Sequence, residues 1–476
     1  MLGLLLGALW LAALQLWLRA HLFLNADTLS VPDIWASLKA GGRLGDWSMG
    51  NHAFIFPDLP LYQVASWFSP DIAGRQVAYG LIQGFLAWWL GARLASRLFY
   101  LKPRQARAYV AAGLLACLAF LKAESGLGQW FFPSHHGGAL LASLALMHWV
   151  LRQRQEPSGW VKVAVVGVLA GLVHASDAVF VTWALVPALC LALAQSKAGR
   201  QRVAAVLVLS FGTKILVQAY LKAQGLKLLH FLWSYFAQNY PRLLGQAQLQ
   251  AVGFVTDYGV ALGLAAAFAL FLLWRWRSDP SPAALGLAWF ALLGGATVLA
   301  ALQGQLSGRY LTWCLWVPAM LAPAWAASRW PNLNGWAMAV PAAIGFFWFT
   351  LFRPVVPIDQ PEQRQAAWLD AQLAQRDMSQ GWADYWHARP LRLFSRRQIQ
   401  VIPVITDWGD LRPFEWVSQR QTFSWDPELK HPQFVVLTGL DAAKVLAPVK
   451  ARGEVVEAEG LSVWFSSSPK KVSHHE

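Results

Sequence analysis

From Met1 to about residue 352, long apolar runs alternate with short polar stretches; beyond that point the apolar segments become short. A helix needs roughly 20 apolar residues to cross a bilayer. The pattern predicts about eleven spans, near 1–24, 73–92, 108–122, 136–151, 160–174, 178–195, 203–219, 251–274, 283–302, 311–328 and 336–352. Several runs are shorter than a straight span, so the helices need not end where the runs do. Residues 1–24 are too long and too apolar for a signal peptide. They also lack a basic leading region and a small-residue cleavage site, so they are read as a retained first helix. No 20–50-residue period repeats, which argues against a solenoid.

Residues 353–476 are richer in Gln, Arg, Asp and Pro, and hold no run long enough to span. "PEQRQAAWLDAQLAQRDMSQG" has helical spacing, whereas "IQVIPVITDW", "FVVLTGL" and "LSVWFS" read as short strands. The expected fold class is an all-α polytopic membrane bundle over 1–352 with a small extracytoplasmic α/β domain over 353–476. A long first outer loop, 25–72, belongs to the bundle.

Every second loop is basic. Arg93, Arg97, Lys102, Arg104 and Arg107 form one cluster, then Arg152, Arg154 and Lys162, then Lys197, Arg200 and Arg202, then Arg275 and Arg277, and finally Arg329. The opposite loops are much longer and hold fewer cations. The positive-inside rule puts the basic set in the cytoplasm, with the N-terminus inside and, for an odd number of spans, the C-terminal domain outside.

Composition agrees with a membrane class. The chain is 56% hydrophobic and only 13% charged, against ~25% charged in soluble domains. Its net charge of +14 would suit a nucleic-acid partner, but the cations sit between apolar runs as topology signals, not as a phosphate-binding patch. Cys117, Cys190 and Cys314 all fall in predicted spans, with no disulfide framework and no CxxC pair. The 28 Trp residues suit interfacial aromatic belts.

With this topology the outer face gathers the acids and imidazoles. The first outer loop carries Asp27, Asp33, Asp46, His52 and Asp58. "ESGLGQWFFPSHHGG" supplies Glu124, His135 and His136, "HASD" supplies His174 and Asp177, and "QGQLSGRYL" supplies Arg309 and Tyr310. Each has a bland reading beside the functional one. Asp33 follows Pro32 and suits the first turn of a helix. Asp46 in "GDW" suits a turn, and Asp58, between Pro57 and Pro60, a turn or cap. His135 and His136 precede Gly-Gly at a helix start, Asp177 could cap the next helix, and Arg309 could snorkel at a helix end. Asp27 is harder to dismiss. It ends the first apolar run with no Lys or Arg beside it, and a carboxylate at the lipid boundary is costly enough to be a functional candidate.

This distribution suits sugar transfer from a membrane-embedded lipid phosphate. A carboxylate must reach the acceptor hydroxyl to take its proton, and the leaving phosphate needs a cation or bound metal. The architecture resembles the GT-C superfamily of membrane glycosyltransferases, which use polyprenyl-phosphate-linked sugars. "NAD" at 25–27 matches that family's first-loop catalytic Asp. "GRYL" at 308–311, before the helix with Pro318, is similar to an Arg-Tyr-Leu segment of bacterial members, and "GWADYWHARPLRLF" at 381–394 to a stretch early in their C-terminal domains. The family's paired Asp-Glu is absent, since Thr28 follows Asp27. The second outer loop offers Glu124 and the His135–His136 pair where another acid is often found.

The resemblance implies a glycosyltransferase of the bacterial inner membrane working on its outer, periplasmic face. Asp27 would be the general base, Asp58 a second carboxylate for acceptor or metal, and Asp177 a supporting acid. His52, His135, His136, Arg309 and Tyr310 would bind substrate, with His135 and His136 at the donor phosphate or as metal ligands and Arg309 near the pyrophosphate or phosphate. A divalent metal ion, on Asp58, His135 and His136, is the one cofactor left open. The partners would be a lipid-linked sugar donor, a glycan, lipid or protein acceptor and membrane lipid, with no nucleic acid. The alternative is a transporter or flippase of a lipid-linked or anionic solute, which would place charge along the spans; only Lys214 and Asp257 stand out there. A structural or assembly protein is a third reading, whose sign would be carboxylates that do not converge.

Overall fold

The computed structural model describes residues 1–22, 24–49, 53–120, 128–228, 245, 259, 262–275, 278–303, 308–330, 360–406, 412–414, 417–419, 432–449 and 452–467. The chain divides into two compact units. The first, the membrane unit, comprises Met1–Leu22, Asn51–Tyr220 and His230–Pro357; the second, the C-terminal unit, comprises Phe23–Gly50, Leu221–Leu229 and Ile358–Glu476. The segment expected as one outer loop, 25–72, is thus shared between them, and its first half folds with the C-terminal residues.

The membrane unit is helical. In chain order it holds α1 (Leu2–Ala20), α3 (Asp58–Ala65), α4 (Ile72–Phe99), α5 (Pro103–Phe120), α6 (Gly137–Gln155), α7 (Trp160–Ser176), α8 (Val186–Leu193), α9 (Lys197–Ala223), α10 (Leu262–Trp274), α11 (Pro280–Gln303) and α12 (Gly308–Arg329). Helix α2 (Ser30–Lys39) belongs to the other unit, which also takes the last three residues of α9. A wider π-helical turn, Val181–Leu185, leads into α8. Ten of the predicted spans fall on described helices, and 336–352 lies outside the described residues. α1, α9 and the Leu311–Arg329 part of α12 are long and apolar enough to cross a membrane; α7, Val181–Leu193 and α10 are shorter apolar helices.

Aromatic packing fixes this unit's interior. Trp10 of α1 and Trp316 of α12 close on the short turn Gln129–Phe131. Trp130 stacks on Phe131 at 3.9 Å, and Trp316 lies edge-on to each at 5.3 Å. Indole N–H groups buried here need acceptors. Trp10 donates to the Gly84 carbonyl (3.1 Å), Trp313 to Ser143 Oγ (3.0 Å) and Trp289 to the Cys314 carbonyl (2.7 Å). The turn that carries the two histidines therefore starts from a rigid base.

The C-terminal unit is mixed. α2 (Ser30–Lys39) comes from the first half of the loop. β1 (Trp47–Met49) lies between β2 (Lys227–Leu228) and β6 (Ser418–Gln419) in a small sheet. A six-stranded sheet has the order β5-β4-β3-β7-β9-β8, with β3 (Gln380–Asp384), β4 (Gln400–Ile405), β5 (Arg412–Pro413), β7 (Phe434–Val436), β8 (Gly453–Ala458) and β9 (Leu461–Ser466). β3 runs parallel to both β4 and β7, and the other pairs are antiparallel. Helices α13 (Pro361–Arg376) and α14 (Tyr385–Phe394) bury Leu369, Leu373 and Leu391 with Val401, Phe434, Val463 and Phe465. The short α15 (Ala442–Leu446) packs Val445 among Trp382, Val435 and Trp464. Four of these elements follow the sequence patterns for one helix and three strands. β3, β8 and α14 were not legible in them.

Candidate functional site

In the membrane unit, the predicted residues Asp58, His136 and Asp177 come together through one helix end. α7 stops at Asp177, whose backbone leaves the helical region at φ −143°. The preceding Ser176 holds the segment that leads to Asp58: its carbonyl accepts from the Phe54 amide (3.1 Å) and its hydroxyl from the Phe56 amide (2.9 Å). Asp177 Oδ1 accepts from the Val179 amide at 3.0 Å, two residues on, whereas the N-cap position of the following Val181–Leu185 turn is Phe180. The other Asp177 oxygen, Oδ2, lies 2.8 Å from His136 Nδ1. Both side chains are buried, and the His136 ring sits between Phe54 (5.8 Å) and Trp183 (5.9 Å).

His136 adopts a left-handed backbone, φ 65°, just before α6. The two glycines that follow are required by close approach. A Cβ on Gly137 would lie 2.1 Å from Gln83 Oε1, and one on Gly138 would lie 2.6 Å from Pro57 Cδ and 2.8 Å from Asp58 Oδ2. "SHHGG" thus turns sharply and lets the Asp58 carboxylate meet the start of α6.

Asp58 opens α3, where a first-turn carboxylate is favoured, yet its side chain reaches beyond its own helix. Tyr79 Oη of α4 donates to Asp58 Oδ1 at 2.6 Å, and the carboxylate is 3% exposed. Burial pushes its pKa up to about 7. The Tyr79 hydrogen bond pulls it down, the Asp177 charge pushes it up, and the Ser134 amide pulls it down. His135 is buried in the same turn.

In the C-terminal unit, Asp27 is half-buried and accepts from Tyr385 Oη of α14 at 2.7 Å through Oδ1. The local turn is capped by Asn25, whose Oδ1 accepts from the Thr28 amide (2.9 Å), so Asp27 is not the capping residue. Asp33 does stand in the first turn of α2, as expected, but capping is not its main engagement. Its Oδ2 pairs with Arg389 Nε at 3.2 Å and with Arg392, from a helix more than 350 residues away. Asp46 is a turn residue, accepting from the Arg43 amide at 2.8 Å.

The other candidates separate. His52, Glu124 and Asp257 lie outside the described residues, and Arg309 and Tyr310 fall in the first turn of α12 with side chains outside them. His174, on α7, has Nε2 3.1 Å from Lys214 Nζ of α9. Among the described residues, no three His, Cys, Asp or Glu side chains are grouped to hold a metal ion. Sequence reasoning missed Tyr79, Ser176, Tyr385, Arg389 and Arg392. Tyr385, Arg389 and Arg392 stand at i, i+4 and i+7 of "YWHARPLR", the spacing of one helix face. That signal was readable once a helix was assigned there.

No family model matches this chain, and no curated protein matches it. Among solved structures, the chain is similar to the crystal structure of ArnT from Cupriavidus metallidurans in the apo state. The identity is 12%, over 96% of this chain and 95% of that one, with a TM-score of 0.56. The likeness is one of fold: a polytopic helical bundle with a small C-terminal sheet.

Proposed function

We propose that this protein is an integral membrane glycosyltransferase that moves a sugar from a polyprenyl-phosphate donor to an acceptor at the outer face of the bacterial inner membrane. The observation that carries the reading is the convergence of Asp58, His136 and Asp177, from three separate polar segments, at one helix end of a GT-C-like fold. A carboxylate whose pKa is pushed up by burial, beside a histidine–carboxylate pair, is the kind of perturbed cluster in which functional sites are enriched. The reading also draws on Asp27, the residue at the position of the family's catalytic Asp.

In the proposed reaction, the acceptor O–H gives its proton to Asp27 as its oxygen bonds to the sugar's anomeric carbon. The bond from that carbon to the phosphate oxygen breaks, and polyprenyl phosphate leaves with the electron pair. Asp58 binds acceptor hydroxyls. Its pKa of about 7 means that it changes between hydrogen-bond donor and acceptor across the physiological range. Asp177 orients His136; His135, His136 and Arg309 act at the donor phosphate, and His52 and Tyr310 are proposed as further substrate contacts. Asp58, His135 and His136, the candidate ligands for a divalent ion, are not grouped to hold one, so no step is routed through a metal.

The test is sugar transfer in washed membranes from a labelled polyprenyl-phosphate donor. Asp27→Asn is expected to insert in normal amount and lose transfer by about 10³-fold or more. Wild-type transfer by that variant would remove Asp27 from the chemistry.

A further inference from the structure

Three features of the C-terminal unit bear on Asp27. First, one face of α14 carries Tyr385, Arg389 and Arg392 towards the segment that holds it. Second, the Arg389 guanidinium is buried and each of its three nitrogens donates a hydrogen bond. It donates to Asp33 Oδ2, to the Ala26 carbonyl and to the Val417 carbonyl, and it lies over the Tyr385 ring at 5.6 Å. The same fork therefore grips the peptide just before Asp27 and the carboxylate six residues after it, while Arg392 adds a second contact to Asp33. Third, Tyr385 Oη reaches the Asp27 carboxylate itself. Burial and then the Asp27 charge push that phenol far above its ordinary pKa, so it is a hydrogen-bond donor at any working pH.

We infer that α14 is a positioning device for the reacting carboxylate: Tyr385 orients Asp27, and Arg389 anchors the loop that carries it. The inference rests on the proposed role of Asp27 as base. A base must come within about 3 Å of the proton it takes, and a displacement of about 1 Å can cost on the order of 10²-fold in rate. The segment Asn25–Ser30 is a short turn held locally by Asn25 and Ser30, and the α14 side chains tie it to the helix at Asp27 Oδ1 and at the Ala26 carbonyl. A purely structural reading would have the arginines hold the fold and the tyrosine fill space. The two readings diverge in what they do to turnover.

The experiment uses the full-length protein in washed membranes, with the labelled polyprenyl-phosphate sugar that the wild type accepts. Tyr385→Phe keeps the ring and removes only the donor. It is expected to lower kcat by about 10- to 100-fold with little change in the donor KM. Arg389→Lys keeps the charge but gives up the fork to the Ala26 carbonyl, and should lower kcat in the same way. Wild-type kcat in both variants, or a loss confined to KM or to protein amount, would overturn the inference. The Asp27 reading would still stand if Asp27→Asn were inactive. Full transfer by Asp27→Asn would instead overturn that reading first.

Discussion

The two units bury carboxylates in opposite ways. Asp58 of the membrane unit is met by neutral donors, the Tyr79 hydroxyl and the Ser134 amide, and no Lys or Arg pairs with it among the described residues. Its burial is therefore offset by holding a proton until about pH 7. Asp33 of the C-terminal unit is as buried, but two arginines face it. The difference shows where each unit can place charge. In a membrane helix bundle a guanidinium is costly and a tyrosine is not, whereas an α/β unit with no membrane-length apolar helix among its described residues can bring in an arginine and compensate ion with ion.

That contrast can be broken at several points. Asp33→Ala should have the largest effect on stability, because it leaves Arg389 charged and buried without its partner. A cost of roughly 3–5 kcal/mol is expected, seen as rapid proteolysis of the C-terminal unit while the membrane unit stays intact. Equal loss in both units would contradict the division. Gly138→Ala should cost about 1–3 kcal/mol, because its methyl would press on Pro57 and the Asp58 carboxylate. Thermal unfolding in detergent measures it, and no change would mean that the close approach is not real.

The smallest effect is one of pH. Asp58 has a folded pKa raised from 3.8 to about 7, so between those values the native state holds a proton that the unfolded state releases. Its contribution to stability is full below about pH 4 and is lost as pH rises through about 7. Wild-type Tm should fall from pH 5 to pH 8 by several degrees. Asp58→Asn, which keeps an acceptor for Tyr79, should flatten that slope. An unchanged slope would remove Asp58 from the titration.

The sequence made much of the fold legible, because membrane helices need long apolar runs and those runs are local. It also brought out Asp58, His136 and Asp177, since acids and imidazoles are conspicuous in an apolar chain. It did not reveal their partners. Asp33 looked like a helix-start residue because Pro32 and α2 lie beside it, whereas Arg389 and Arg392 are more than 350 residues away. Tyr79 was hidden for the converse reason, since a tyrosine within an apolar run reads as core. "SHHGG" was read as a helix start, and it is one; that its glycines make room for Pro57 and Asp58 depends on packing between segments no local pattern links. The strands β3 and β8 escaped because "QGWAD" and "GEVVEA" are too short and too polar to alternate visibly.

The measurement that tests the account most directly sets the two carboxylates side by side: sugar transfer by wild type, Asp27→Asn and Asp58→Asn in washed membranes from about pH 5.5 to 8.5, a window chosen to bracket the neutral titration of a buried acid. The account predicts that Asp27→Asn stays at background at every pH. Asp58→Asn should keep measurable transfer but lose whatever change the wild type shows near pH 7. Wild-type rates from Asp27→Asn, with Asp58→Asn alone silent, would contradict it and move the base into the membrane unit.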